Sequence, residues 1–150
     1  MSESTNSPKQ NNYETLESIH SRLASGFIEL RKQVIRQPEG FIKYPYLTPA
    51  GFYTQLWDWD AFFMANHFIS KGHPEYMKNW VLIFSQGIDK DGYVAGCMTK
   101  DGPRNVYSGR FAMKPFLSQG AYHYSVATDD WEWLRPIYDS LKSVINYRRS

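Results

Sequence analysis

With one cysteine, Cys97, the chain can form no internal disulfide, and nothing in it points to an oxidising compartment. It has no apolar run long enough to span a bilayer. Its start, MSESTNSPKQNN, lacks the apolar centre and cleavage pattern of a secretory signal, so residues 1–12 are expected to form a disordered polar tail. A cytoplasmic protein is the expectation. Charge of one sign is missing too. Seventeen Lys and Arg stand against fifteen Asp and Glu, too even a balance for a nucleic-acid partner or an anionic membrane surface.

Several chemistries lack their residues. There is no Gly-rich phosphate loop, no paired CxxC and no HExxH. His20, His67, His73 and His123 are scattered, so no metal site is expected. Asp89-Lys90-Asp91-Gly92 resembles the start of a calcium loop, but Lys100 stands where the bidentate Glu belongs. Neither Ser108-Gly109 nor Cys97 sits in a nucleophile signature.

What the chain has in excess is aromatic surface: 17% of it is Phe, Trp or Tyr. These residues cluster in GFYTQLWDWDAFFMANHF, residues 51–68, which also holds Asp58 and Asp60. Carboxylates do not belong in a dry core unless they are partnered. Either they face solvent or cap a helix beside ordinary core aromatics, or the segment lines a wet aromatic cavity. A pyranose asks for that second arrangement. Its C–H faces lie on rings, and its adjacent hydroxyls give paired hydrogen bonds to a carboxylate.

The patterning predicts helices. Leu16, Ile19, Leu23, Phe27, Leu30 and Val34 mark one face of a helix over residues 13–37, stopped by Gln37-Pro38-Glu39-Gly40. After a linker rich in Pro and Tyr, a second helix is predicted over residues 55–70, closed by Lys71-Gly72. In it Trp57 and Asp60 share a face at i, i+3, with Tyr53 just before, while Trp59 and Phe63 turn toward packing neighbours. Pro74 opens a third helix with Met77, Trp80, Phe84 and Ile88 on one face. Residues 89–113 read as a long loop or small hairpin, the kind of segment that is usually functional. Pro115 opens a fourth helix to Ala127. Thr128-Asp129-Asp130 reads as the cap of a short helix to Leu134, before a longer one carrying Ile137, Leu141, Val144 and Ile145. The fold class expected is all-α, built of helical pairs. The last helix has no stop signal, and the C-terminus reads as cut.

Tyr53-x3-Trp57-Asp58-Trp59-Asp60, followed by Ala61-Phe62-Phe63, resembles the signature of family 63 glycoside hydrolases. The likeness is to the bacterial mannosylglycerate and glucosylglycerate hydrolases, with trehalase more distant. Asp91-Gly92-Tyr93-Val94, Lys114-Pro115-Phe116 and Asp129-Asp130 support it, over about residues 40–150. The resemblance implies the N-terminal portion of an (α/α)6 toroid, inverting hydrolysis of an α-glycoside, a small carbohydrate substrate and no cofactor. It places Tyr53, Trp57, Asp58, Trp59 and Asp60 at the sugar, with Tyr107 a further candidate by position. Lys114 stands where the family carries the first residue of a Gln-Pro-Pro-like turn. An ammonium there suits an acidic or phosphorylated group or another hydroxyl, and equally a solvated lysine at a helix start.

Inverting chemistry needs two carboxylates about 6.5–9.5 Å apart across the scissile bond. Asp58 and Asp60 are neighbours on one segment and do not flank a bond. The resemblance implies an Asp in a Glu-Ser-Gly-x-Asp-Asn-like motif and a later Glu, both expected beyond Ser150, so no catalytic residue is assigned in the chain. Two other readings stand beside this one: a non-catalytic sugar-binding or scaffold fragment, and an aromatic-lined toroid for a terpenoid cation. The last would want a tight Asp-rich metal motif, which Asp58 and Asp60 do not supply.

Overall fold

The computed structural model describes residues 14–49, 51–106 and 110–149, so the tail expected at residues 1–12 lies outside the described residues. The chain divides into two units, residues 1–32 and 33–150. The first is the body of α1 (Leu16–Val34), entered through Thr15, whose hydroxyl accepts the Ser18 N–H at 3.2 Å as a cap. Its apolar period forms the helix as expected, yet no residue of α1 is buried. The helix ends at Val34, before the Pro38 stop, because Ile35 and Arg36 turn to strand pairing.

In the second unit β1 (Ile35–Arg36) pairs antiparallel with β2 (Tyr46–Leu47). β3 (Leu56–Trp57) runs directly into α2 (Asp58–Ser70), followed by α3 (Glu75–Gln86). β4 (Cys97–Thr99) and β5 (Gly102–Pro103) form a hairpin whose inner strand pairs with β3, giving the order β3-β4-β5. Then come α4 (Leu117–Thr128), a 3-10 helix (Glu132–Ile137) and α5 (Tyr138–Arg149). The described residues are thus mostly helical, with five α-helices, and the two small sheets correct the all-α expectation. Strands of two or three residues are too short to show alternation, and tertiary pairing alone creates them.

The turn between α2 and α3 forms where Lys71-Gly72 predicts it. Gly72 takes φ +79°, and the His73 N–H reaches back to the Phe68 carbonyl at 2.9 Å. Phe62, Ala65 and Phe68 of α2, Met77, Trp80 and Phe84 of α3, and Leu117 and Ala121 of α4 share the core. Burying a large apolar side chain of this kind stabilises by about 1.5–3 kcal/mol. Helix α4 approaches α3 closely at Gly120, where a Cβ would lie 2.8 Å from the Trp80 ring and 2.9 Å from Met77 Sδ. Gly120→Ala is therefore expected to destabilise by about 1–2 kcal/mol, overpacking outweighing alanine's helix preference. Urea denaturation measures this, and a stabilised variant would show that the two helices can part there.

Asp129 ends α4 in the left-handed region at φ 53°. Thr128-Asp129-Asp130 is therefore a helix end and not the expected start. The Thr128 hydroxyl donates back to the Tyr124 carbonyl at 2.9 Å, so it caps nothing downstream. Pro136, with no N–H to give, falls inside the 3-10 helix, and α5 buries Leu141 and Val144 while Ile145 is exposed. Among the described residues no helix is long and apolar enough to cross a membrane.

Candidate functional site

The predicted second helix starts three residues late. Gln55 is a bend and Leu56 and Trp57 are strand, Trp57 standing at φ −100°, ψ 138°, because Leu56 pairs with Met98 and Trp57 with Cys97. The Asp58 N–H then donates to the Gly96 carbonyl at 2.9 Å, and the helix begins. Trp57 and Asp60 thus share no helix face. The strand-to-helix bend brings them together instead, on the wall of one cavity.

Asp58 is 2% exposed, and its carboxylate is fully engaged by the protein. One oxygen accepts the Trp59 N–H at 2.8 Å, and the other accepts the Lys114 backbone N–H at 2.7 Å. The Lys114 ammonium stands 3.4 Å from Oδ1. A buried acid at the first turn of a helix is stabilised by such donors and by the helix dipole. Gly96 leaves it room: a Cβ there would lie 3.2 Å from Asp58 Oδ2. Asp58 therefore ties the start of α2 to the turn before α4. Asp60, by contrast, is exposed and makes no hydrogen bond or ion pair among the described residues.

The cavity has a volume of about 440 Å³, within the span of small-molecule sites. Tyr53, Trp57, Asp58, Trp59, Asp60 and Lys114 all line it, so six of the seven residues singled out in the sequence meet there. The seventh, Tyr107, lies outside the described residues, as does Ser108-Gly109. Trp59 was expected to face packing neighbours, but it is 48% exposed on the cavity, and Phe63 is similarly open. The Trp59 ring is held on one side, edge-on to Phe63 and to Phe116 at 5.5 Å each. Lys114 Nζ lies 5.6 Å from its centroid. The indole nitrogen of Trp57 is buried and has no hydrogen-bond partner among the described residues, so that ring offers the cavity carbon surface alone.

Two arginines were not anticipated. Arg36 donates to the Thr48 hydroxyl at 3.3 Å, to the Gly51 carbonyl and to the Tyr53 carbonyl at 3.1 Å, holding Tyr53 on the rim. Arg104 reaches the cavity from the end of the β4-β5 hairpin, with no partner for its guanidinium among the described residues. Asp101-Gly102-Pro103 is a turn sequence, and a hairpin closing there carries Arg104 back beside Cys97. Arg36 left no signal, because its partners are one hydroxyl and two backbone carbonyls distant in the sequence.

The described residues of the 89–113 segment make polar contacts among themselves. Asp89 Oδ1 accepts the N–H groups of Asp91 and Tyr93 at 2.9 and 3.0 Å, and Arg110 pairs with Asp89 while stacking on Tyr93 at 4.2 Å. Burial pushes the Tyr93 phenol above its ordinary range. Among the described residues no three His, Cys, Asp or Glu side chains gather in a set that could hold a metal ion.

Cys97, paired with Trp57 across β3-β4, is 1% exposed, and burial pushes its thiol from 9.0 up to about 11. Only the folded state holds this proton above pH 9, so the stability it contributes is intact below pH 9 and lost as pH rises to about 11. A loss of roughly 2 kcal/mol is expected over that interval. Denaturant midpoints at pH 8 and pH 10.5 measure it, against Cys97→Ala to separate the thiol from Tyr46 and Tyr93, whose burial raises them as well. Equal slopes for the two proteins would assign the alkaline loss to the phenols.

Compared with protein-family models and with curated protein sequences, the chain matches none.

Proposed function

We propose that this chain carries the sugar-recognition wall of an inverting α-glycosidase of the six-hairpin type, acting in the cytoplasm on a small α-glucoside or α-mannoside such as glucosylglycerate, mannosylglycerate or a short oligosaccharide. On this reading the helices belong to the N-terminal part of an (α/α)6 toroid. One observation carries it. Three aromatic residues, Tyr53, Trp57 and Trp59, and one carboxylate without a partner among the described residues, Asp60, share a single cavity of sugar size. The rings supply an apolar platform, and Asp60 accepts from adjacent hydroxyls.

The division of labour between the two acids also supports the absence of a catalytic pair within the wall. Asp58 is engaged by Lys114 and Trp59, which leaves Asp60 as the available carboxylate of the pair, and one carboxylate cannot both protonate a leaving group and activate water. The acid and base of the reaction fall, on this proposal, beyond Ser150. The same observation favours a second reading, in which the 150-residue chain binds sugar without hydrolysing it.

Titrating the chain with methyl α-glucoside and methyl α-mannoside, followed by tryptophan fluorescence, tests the wall. Saturable quenching or enhancement is expected for at least one. Neither sugar perturbing the tryptophans at concentrations of tens of millimolar would overturn the proposal. Release of aryl alcohol from an aryl α-glycoside by the chain alone would favour an enzyme complete within these residues.

A further inference from the structure

A second cavity, of about 540 Å³, opens beside the first, and Arg104 lines both. The sheet register explains the adjacency. Trp57 opposes Cys97 and Thr99 opposes Gly102, so these residues share one face of β3-β4-β5, while Leu56 and Met98 point to the core on the other. Gln55 is two residues from Trp57, and Arg104 is two from Gly102, with its N–H bonded to the Cys97 carbonyl at 2.9 Å. The register puts Arg104 opposite Cys97 on the open face, and Gln55, in the bend before β3, lines the second cavity. Moving along it, Trp57 belongs to the first cavity, Gln55 and Thr99 to the second, and Arg104 stands between.

The two compartments differ in chemistry. The first has the aromatic platform, whereas the second has none and is lined by Thr54, Gln55, Thr99, Lys100 and Asp101, groups that donate and accept hydrogen bonds. Charge is balanced in each. Asp58 and Asp60 offset Arg104 and Lys114 in the first, and Glu39 and Asp101 offset Lys100 and Arg104 in the second. A balanced, hydroxyl- and amide-lined hollow fits a neutral polyol and offers no net attraction to an anion.

We propose that the second cavity is a binding subsite for a neutral second sugar unit, so that the ligand is an α-linked disaccharide or longer, with Arg104 donating hydrogen bonds at the junction of the units. This rests on the sugar reading of the first cavity and narrows it, away from glycosides of an acidic group.

Isothermal titration of the whole chain compares methyl α-glucoside with maltose and methyl α-mannoside with α-1,2-mannobiose, with glucosylglycerate as the acidic competitor. A neutral disaccharide is expected to bind about tenfold more tightly than its methyl glycoside, the effect of one or two well-made hydrogen bonds. In Gln55→Ala and in Arg104→Ala that ratio is expected to fall toward one. Equal binding of disaccharide and methyl glycoside to the unaltered chain overturns the second subsite while leaving the first standing. A tenfold preference for glucosylglycerate over the neutral disaccharide overturns its neutral character. No binding by any of the five sugars overturns the sugar reading and this inference together.

Discussion

Replacing Asp58 with alanine is expected to lower the unfolding free energy by about 3 kcal/mol, since it strips partners from two backbone N–H groups and removes a charge favoured by the helix dipole. The affected donors are the N–H groups of Trp59 and Lys114, bonded at 2.8 and 2.7 Å. The second lies 56 residues from Asp58, so the loss loosens the join between α2 and the turn before α4. The Lys114 ammonium is half-exposed and regains water, which keeps the cost below that of orphaning a buried cation. Asp58→Asn keeps the shape and one acceptor, and about half the effect is expected. Urea denaturation followed by near-ultraviolet circular dichroism gives both values. A change below 1 kcal/mol for the alanine variant would mean that the join is held by packing alone.

Asp60→Asn is expected to do the reverse. Asp60 has no partner among the described residues, so stability should move by no more than about 0.5 kcal/mol. Sugar binding, however, should weaken roughly 30-fold, because a carboxylate accepting from hydroxyls makes charge-assisted bonds of about 1.5–3 kcal/mol. The aromatic platform of Trp59 and Tyr53 is left in place, so residual binding is expected. The pairing of variants is informative: two acids two residues apart, one governing stability and the other affinity. If Asp60→Asn binds sugar as the parent does, Asp60 is a solvated helix-start residue and the cavity's ligand is recognised by other groups.

How far the sequence foretold this depends on where each decisive partner lies. Met77, Trp80 and Phe84 repeat at helical spacing, and α3 formed where they predicted it, ending at Gly87 before Ile88, because a helix face is written within a dozen residues. Leu56 and Trp57 looked helical for the same local reason. Their partners Met98 and Cys97 lie some forty residues downstream, and that pairing outweighs local preference. Thr128-Asp129-Asp130 carried two opposite signals, since Asp both caps helix starts and tolerates the left-handed conformation that ends them; the φ of 53° shows which prevailed. At the site, the need of a buried Asp58 for partners was legible, but its engagement by Lys114 was not. Arg104 reached the cavity through a hairpin register that no local pattern reveals.

The wall of the first cavity draws on residues from Pro49 to Lys114, joined by the β3-β4 pairing and the Asp58 bonds. No shorter stretch of chain presents it. A molecule that occupies it therefore binds the folded ensemble and not the unfolded one, and mass action couples occupancy to folding. At a free concentration one hundred times Kd, such a molecule would add about 2.7 kcal/mol to the unfolding free energy. Thermal unfolding across a panel of small polyols would then rank candidate ligands by their melting shifts alone, with no assay for turnover.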